Sequence, residues 1–255
     1  MEIFMETLES SLNVDRANEF DLNDSVCHVY ESYEEYHYIS ESQKKSLAQK
    51  VKMFIDRLIA QLAKFKEDLQ NNIRKAVADK KVKKNLKKTR DELIRARDMG
   101  SRKVITIDVI RYKERYMECY KNLWKIAKRF DKVEYKSVHD IDADLKNFNA
   151  MYDKYTAELK EIGETKIERP INDVIQFCEY ELDGRSAVFK TLNDTEKNLK
   201  DMKTSADALE RKRNILGDEV IPKRVTVIQK VSAKMCSFVK NCITKFIMTV
   251  IIVLA

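Results

Sequence analysis

Histidine and cysteine are the residue types here that could build a metal or nucleophilic site. Glu34 and His37 form an E-x-x-H spacing, which places two ligands on one helix face in di-iron helical proteins. Such a site needs a second copy on another helix, and the sequence has none, since no glutamate stands three residues before His139. We therefore expect no catalytic residue, no metal and no cofactor, and we interpret the protein as non-enzymatic.

The five cysteines include no C-x-x-C pair, and their number is odd. Each falls among apolar residues at helical spacing, which favours a buried thiol over a disulfide or a metal ligand. The first ten residues do not resemble a signal peptide. These features predict a protein made in a reducing cytosol, and membrane association through the C-terminus stays open.

Residues 80–90 are strongly basic, with seven lysines or arginines in eleven positions. Such a run is typical of a solvated helix face, but it could also contact phosphates without reading a base sequence. Under the second interpretation, the polyanion-contacting residues are Lys80, Lys81, Lys83, Lys84, Lys87, Lys88 and Arg90.

The opposite charge dominates the N-terminus. Residues 1–41, here called the acidic segment, carry eleven acids and one base, for a net charge of −10. A helix predicted over residues 25–39 carries tyrosines, whose large rings and polar tips suit interfaces. Either partner docking or packing within the chain would use them, and the docking candidates are Tyr30, Tyr33, Tyr36 and Tyr38.

Composition predicts the fold class. The 255 residues include only 4 glycines and 2 prolines, while 36% are charged. Folds rich in tight turns and glycine-rich phosphate loops are therefore disfavoured. Apolar residues recur at helical spacing almost throughout the chain. We predict an all-α fold, an elongated antiparallel helical bundle built from coiled-coil hairpins.

Charge and periodicity divide the chain into four segments. After the acidic segment, residues 42–136 read as a long basic helical hairpin whose return arm covers 103–136, with 29 bases and 12 acids. Residues 137–221 carry heptad patterns, clearest from Val138 to Ile162 and again from Val188. Residues 222–255 form a basic amphipathic helix with an apolar end, and they contain six bases and no acid.

The last ten residues, here called the apolar tip, carry no charge. A decapeptide is too short to span a membrane core of about 30 Å. It could lie at a membrane interface, be buried in protein as an oligomer seam or central plug, or belong to a truncated span. Its β-branched residues would also suit an intermolecular strand. The expected membrane or partner contacts are Phe246, Ile247, Met248, Val250, Ile251, Ile252, Val253 and Leu254.

These features support three hypotheses about function. The first is a structural or assembly protein that forms a homo-oligomer or larger assembly, as components of virus particles do, and buries its apolar tip in a partner subunit or membrane. The second is a pore-forming or membrane-inserting protein that is soluble before insertion. The third is a nucleic-acid-associated protein that uses Lys80–Arg90.

Overall fold

The computed structural model describes residues 46–78, 103–182, 186–211 and 219–254. In these ranges it contains helices and two short strands, and the predicted all-α class is confirmed. Whether the helices form coiled coils stays a prediction. In chain order the elements are α1 (Ser46–Ala78), β1 (Lys103–Ile107), α2 (Val109–Lys132), α3 (Val138–Ile162), β2 (Lys166–Pro170), α4 (Ile171–Leu182), α5 (Ala187–Arg211) and α6 (Val220–Leu254).

Local sequence accounts for several of these boundaries. Asp108 caps α2 by accepting a hydrogen bond from the Arg111 backbone N–H at 3.1 Å. Ser137 caps α3 in the same way, through the Asp140 N–H at 3.2 Å. Such caps satisfy amide groups that have no partner inside the helix. The clearest heptad pattern therefore coincides with a helix that begins and ends where its sequence predicted.

The helix directions follow from contacts between side chains. The helix α2 runs antiparallel to α3, since Arg115 pairs with Glu158 near one end and Arg129 pairs with Asp144 near the other. It also runs antiparallel to α6, because Tyr112 binds the Cys242 carbonyl. At the other end of that pair, Arg224 binds the Phe130 carbonyl.

The helix α5 runs alongside α2 in the same direction, with Tyr116 bonded to Thr191 and Tyr120 to Thr195. The helix α1 runs antiparallel to α5, since Lys52 pairs with Asp207 near one end and Lys66 donates to Asn193 near the other. By this chain of contacts α1, α3 and α6 point the same way, while α2 and α5 point the other way.

The strands correct one detail of the sequence interpretation. The sequence predicts that residues 103–107 belong to the helical return arm, but they form β1 and pair antiparallel with β2, Ile105 opposite Glu168. The run Val104–Ile107 is β-branched at every position, which suits a pleated strand better than a helix. The return helix therefore begins only at Val109.

Candidate functional site

The C-terminal helix α6 is the centre of the described structure. It contacts every other described helix, from α1 through α5. Buried residues lie on most of its circumference, and the six consecutive side chains from Arg224 to Gln229, more than one full turn, are all buried. Most of the apolar surface of α6 is therefore covered by the chain's own amphipathic helices, which removes it from water.

The apolar tip continues this packing. Phe246, Ile247, Val250 and Ile251 are buried, and Met248 is half-buried. The Phe246 ring stacks on Tyr112 of α2 and meets Phe177 of α4 edge-on, with ring centroids 6.3 Å apart in both pairs. The tip is helical, so the intermolecular strand that its β-branched residues suggested is wrong for the described residues.

Among the sequence-based alternatives, burial in protein is the arrangement that these four tip residues adopt, and the covering protein is the chain itself. A partner subunit or a membrane around the tip stays a proposal. The side chains of Ile252, Val253 and Leu254 lie outside the described set, although their backbone belongs to α6.

Buried polar groups join α6 to α2. The Tyr112 hydroxyl donates to the Cys242 carbonyl at 3.3 Å, and burial raises the pKa of both the Tyr112 hydroxyl and the Cys242 thiol. Burial likewise raises the pKa of Cys119 to about 11 and that of Tyr120 to about 12. Thiols held in the neutral form are weak nucleophiles, and this agrees with the predicted packing role of the cysteines.

Two buried charges are compensated. Arg224, only 4% exposed, donates to the Phe130 carbonyl at 2.6 Å and to the Asp131 carbonyl at 2.8 Å. Glu181, which has no exposed surface, pairs with Lys113 and accepts a hydrogen bond from Ser186. These partners offset the cost of burying a charge, so both groups are part of the structural framework.

The least buried edge of α6 is basic. The helix contains five lysines and no acid. All five are half-buried or exposed, and together they are here called the lysine strip: Lys223, Lys230, Lys234, Lys240 and Lys245. From the first to the last, the strip extends over about 33 Å at helical rise. It is therefore a long cationic surface on the helix that also forms the core.

Flanking helices supply aromatic and polar neighbours to this strip. On the α3 side, Lys234 Nζ lies 2.9 Å from Asn149 Oδ1 and 4.9 Å from the Tyr152 ring centroid. Toward α1, Lys240 Nζ lies 5.7 Å from the Phe65 ring centroid. Lys223 pairs with Asp142 at 2.8 Å. The strip thus combines cations with half-buried aromatic rings, a surface that suits an acidic ligand with apolar or aromatic residues.

A separate open cleft of about 490 Å³ lies where the strands meet α2 and α3. Its lining includes Asp108, Glu118 and Glu158, whose charges are offset by arginines. Arg115 pairs with Glu118 and Glu158, and Arg169 pairs with Asp108. These ion pairs join the elements that line the cleft, so we interpret the three acids as structural residues.

The other predicted sites lie outside the described residues. The polyanion run Lys80–Arg90 and the tyrosines at 30, 33, 36 and 38 both fall there, so their roles stay predictions. The sequence analysis noted the lysines near the C-terminus but did not name them as a surface. The available signal was five lysines and no acid over residues 223–245: at 3.6 residues per turn, Lys223, Lys230, Lys234 and Lys245 fall within about 60° of one another, and Lys240 lies about 80° to one side.

No helix in the described ranges combines the length and apolar character that crossing a membrane requires. No group of three or more histidine, cysteine or acidic side chains is placed there to hold a metal ion.

Comparison with known proteins gives no relative. No protein-family model, no curated protein and no solved structure matches this chain.

Proposed function

We propose that this chain is a non-enzymatic structural or assembly protein that binds an acidic protein partner on its lysine strip. The observation that carries the proposal is the double role of α6. One helix contacts all the other described helices and also carries five half-buried or exposed lysines along its least buried edge. A partner on this edge would contact the element on which the rest of the fold depends.

Several contacts support a protein partner in particular. The strip is flanked by the half-buried rings of Phe65 and Tyr152, which lie near Lys240 and Lys234. Aromatic residues between cations are typical of protein interfaces, where rings provide buried area and charges steer association. An acidic amphipathic helix would satisfy both components.

The test compares the full-length protein with two charge-reversed versions. The strip variant carries Lys230→Glu, Lys234→Glu and Lys245→Glu. The control carries the same three changes at lysines exposed on other helices: Lys64, Lys121 and Lys190. The probe is a fluorescent poly-glutamate peptide of about 20 residues, and its anisotropy is measured at 50 and 200 mM salt.

The proposal predicts binding that weakens at higher salt, falls at least tenfold in the strip variant and stays within twofold in the control. Equal affinity of all three proteins would contradict it. Duplex DNA and anionic vesicles are tested alongside. DNA binding that depends on Lys80–Arg90 would instead favour the nucleic-acid hypothesis. Vesicle leakage that is lost on deleting residues 246–255 would favour membrane insertion.

A further inference from the structure

We infer that the acidic segment of the same chain, residues 1–41, occupies the lysine strip and competes with the external partner. The inference rests on the proposed function, because it identifies what regulates that surface. Its first support is charge complementarity: the segment carries −10, and α6 carries five lysines, one arginine and no acid. Opposite charges of this size attract one another at moderate salt.

The second support is the position at which the segment enters the described structure. It connects to α1, which begins at Ser46 and points the same way as α6. Ser46, the residue to which the segment leads, therefore lies at the end of the structure where α6 begins. Phe65 of α1 contacts Lys240, so α1 forms one border of the strip.

Chain length agrees with this placement. Four residues separate Glu41 from Ser46, and they can span about 13–14 Å when extended. A helix over residues 25–39, as the sequence predicts, would be about 22 Å long, and the strip extends over about 33 Å. The segment can thus lie along the strip without any change in the described helices.

The third support is the chemistry of the segment's side chains. Glu31, Glu34 and Glu35 alternate with tyrosines in the predicted helix. The strip offers the matching pattern of lysines beside the rings of Phe65 and Tyr152. Because the segment is tethered, its effective concentration at the strip is on the order of millimolar, so a partner must displace it.

Zero-length carbodiimide crosslinking of the full-length protein tests the inference, since it joins only carboxylates and lysines that touch. An equal mixture of ¹⁴N- and ¹⁵N-labelled protein is treated at 50 mM salt, and mass spectrometry maps the linked peptides. The expected result is isotopically unmixed links from acids of residues 1–41 to Lys230, Lys234, Lys240 or Lys245. These links should decrease at least fivefold at 500 mM salt.

Three results would overturn the inference: no links from the acidic segment to α6, links made mainly to Lys80–Arg90, or links of mixed isotope composition. The experiment uses the protein without any substitution, so its outcome does not depend on whether a variant folds. Failure here differs from failure of the proposed function. If poly-glutamate binds the strip but these links do not form, the proposed function is supported and the intramolecular contact is refuted. If the links form but poly-glutamate does not bind, the intramolecular contact is supported and the proposed function is refuted.

Discussion

Replacing Phe246 with alanine tests whether the apolar tip belongs to the core of this chain. The side chain is 1% exposed and lies between the rings of Tyr112 and Phe177. Truncating a buried phenylalanine removes its transfer free energy and leaves a cavity, at a cost of about 3–5 kcal/mol. Domains of ordinary stability have about 5–15 kcal/mol in total, so the loss would be a large fraction.

The assay is urea unfolding followed by circular dichroism, with the free energy of unfolding extrapolated to water. Tyr180→Ala is the matched control, since Tyr180 is also aromatic and lies on neighbouring α4 but is 58% exposed. The control should lose less than about 1 kcal/mol. If Phe246→Ala loses no more than the control while unfolding remains cooperative, then the tip is not packed as described and the reasoning fails.

Three further outcomes are expected from the same unfolding assay. Arg224→Met should cost about 1.5–3 kcal/mol, because two backbone carbonyls lose a charged donor, whereas Lys223→Met, which removes a partly exposed ion pair with Asp142, should cost less than about 1 kcal/mol. Lys113→Met should cost about 3–5 kcal/mol by leaving buried Glu181 unpaired, and adding Glu181→Gln should recover part of this loss. Stability should fall as pH rises from 9 to 12. Burial raises the pKa of Cys119 to about 11, and those of Cys178 and Tyr120 to about 12, so the unfolded chain ionises first and the stabilisation present below pH 9 is lost. A flat profile over that range would contradict the burial of these groups.

Helix boundaries could be predicted from the sequence where local signals determine them. The heptad from Val138 to Ile162, with Ser137 before it and Gly163 after it, marks a helix whose ends the structure reproduces. Gly163 also lies where a side chain would crowd Lys245, whose Cε would be 3.1 Å from an added Cβ. Gly163 is the C-cap of the helix, but its φ of −70° is open to any residue, so the close approach of Lys245, which local sequence cannot show, is the structural reason for a glycine there.

Tertiary context determined the parts that the sequence left open. The apolar tip has the same pattern whether lipid, a partner or its own chain covers it, since helical periodicity does not identify the covering surface. The covering helices are far away in sequence, as Tyr112 and Phe177 are from Phe246. The strand at residues 103–107 was missed because its short β-branched run adjoins a strongly periodic helix and forms only with a partner strand 59 or more residues later.

Hydrogen exchange of the native full-length protein tests most directly whether α6 is the central helix of the fold. Mass spectrometry would follow the backbone amides of residues 235–246 and compare them with those of residues 112–124 in α2. The account predicts that both sets exchange only through global unfolding and with similar protection, because each segment is buried against the other. Exchange of residues 235–246 on the timescale of an unstructured tail, while α2 stays protected, would contradict it.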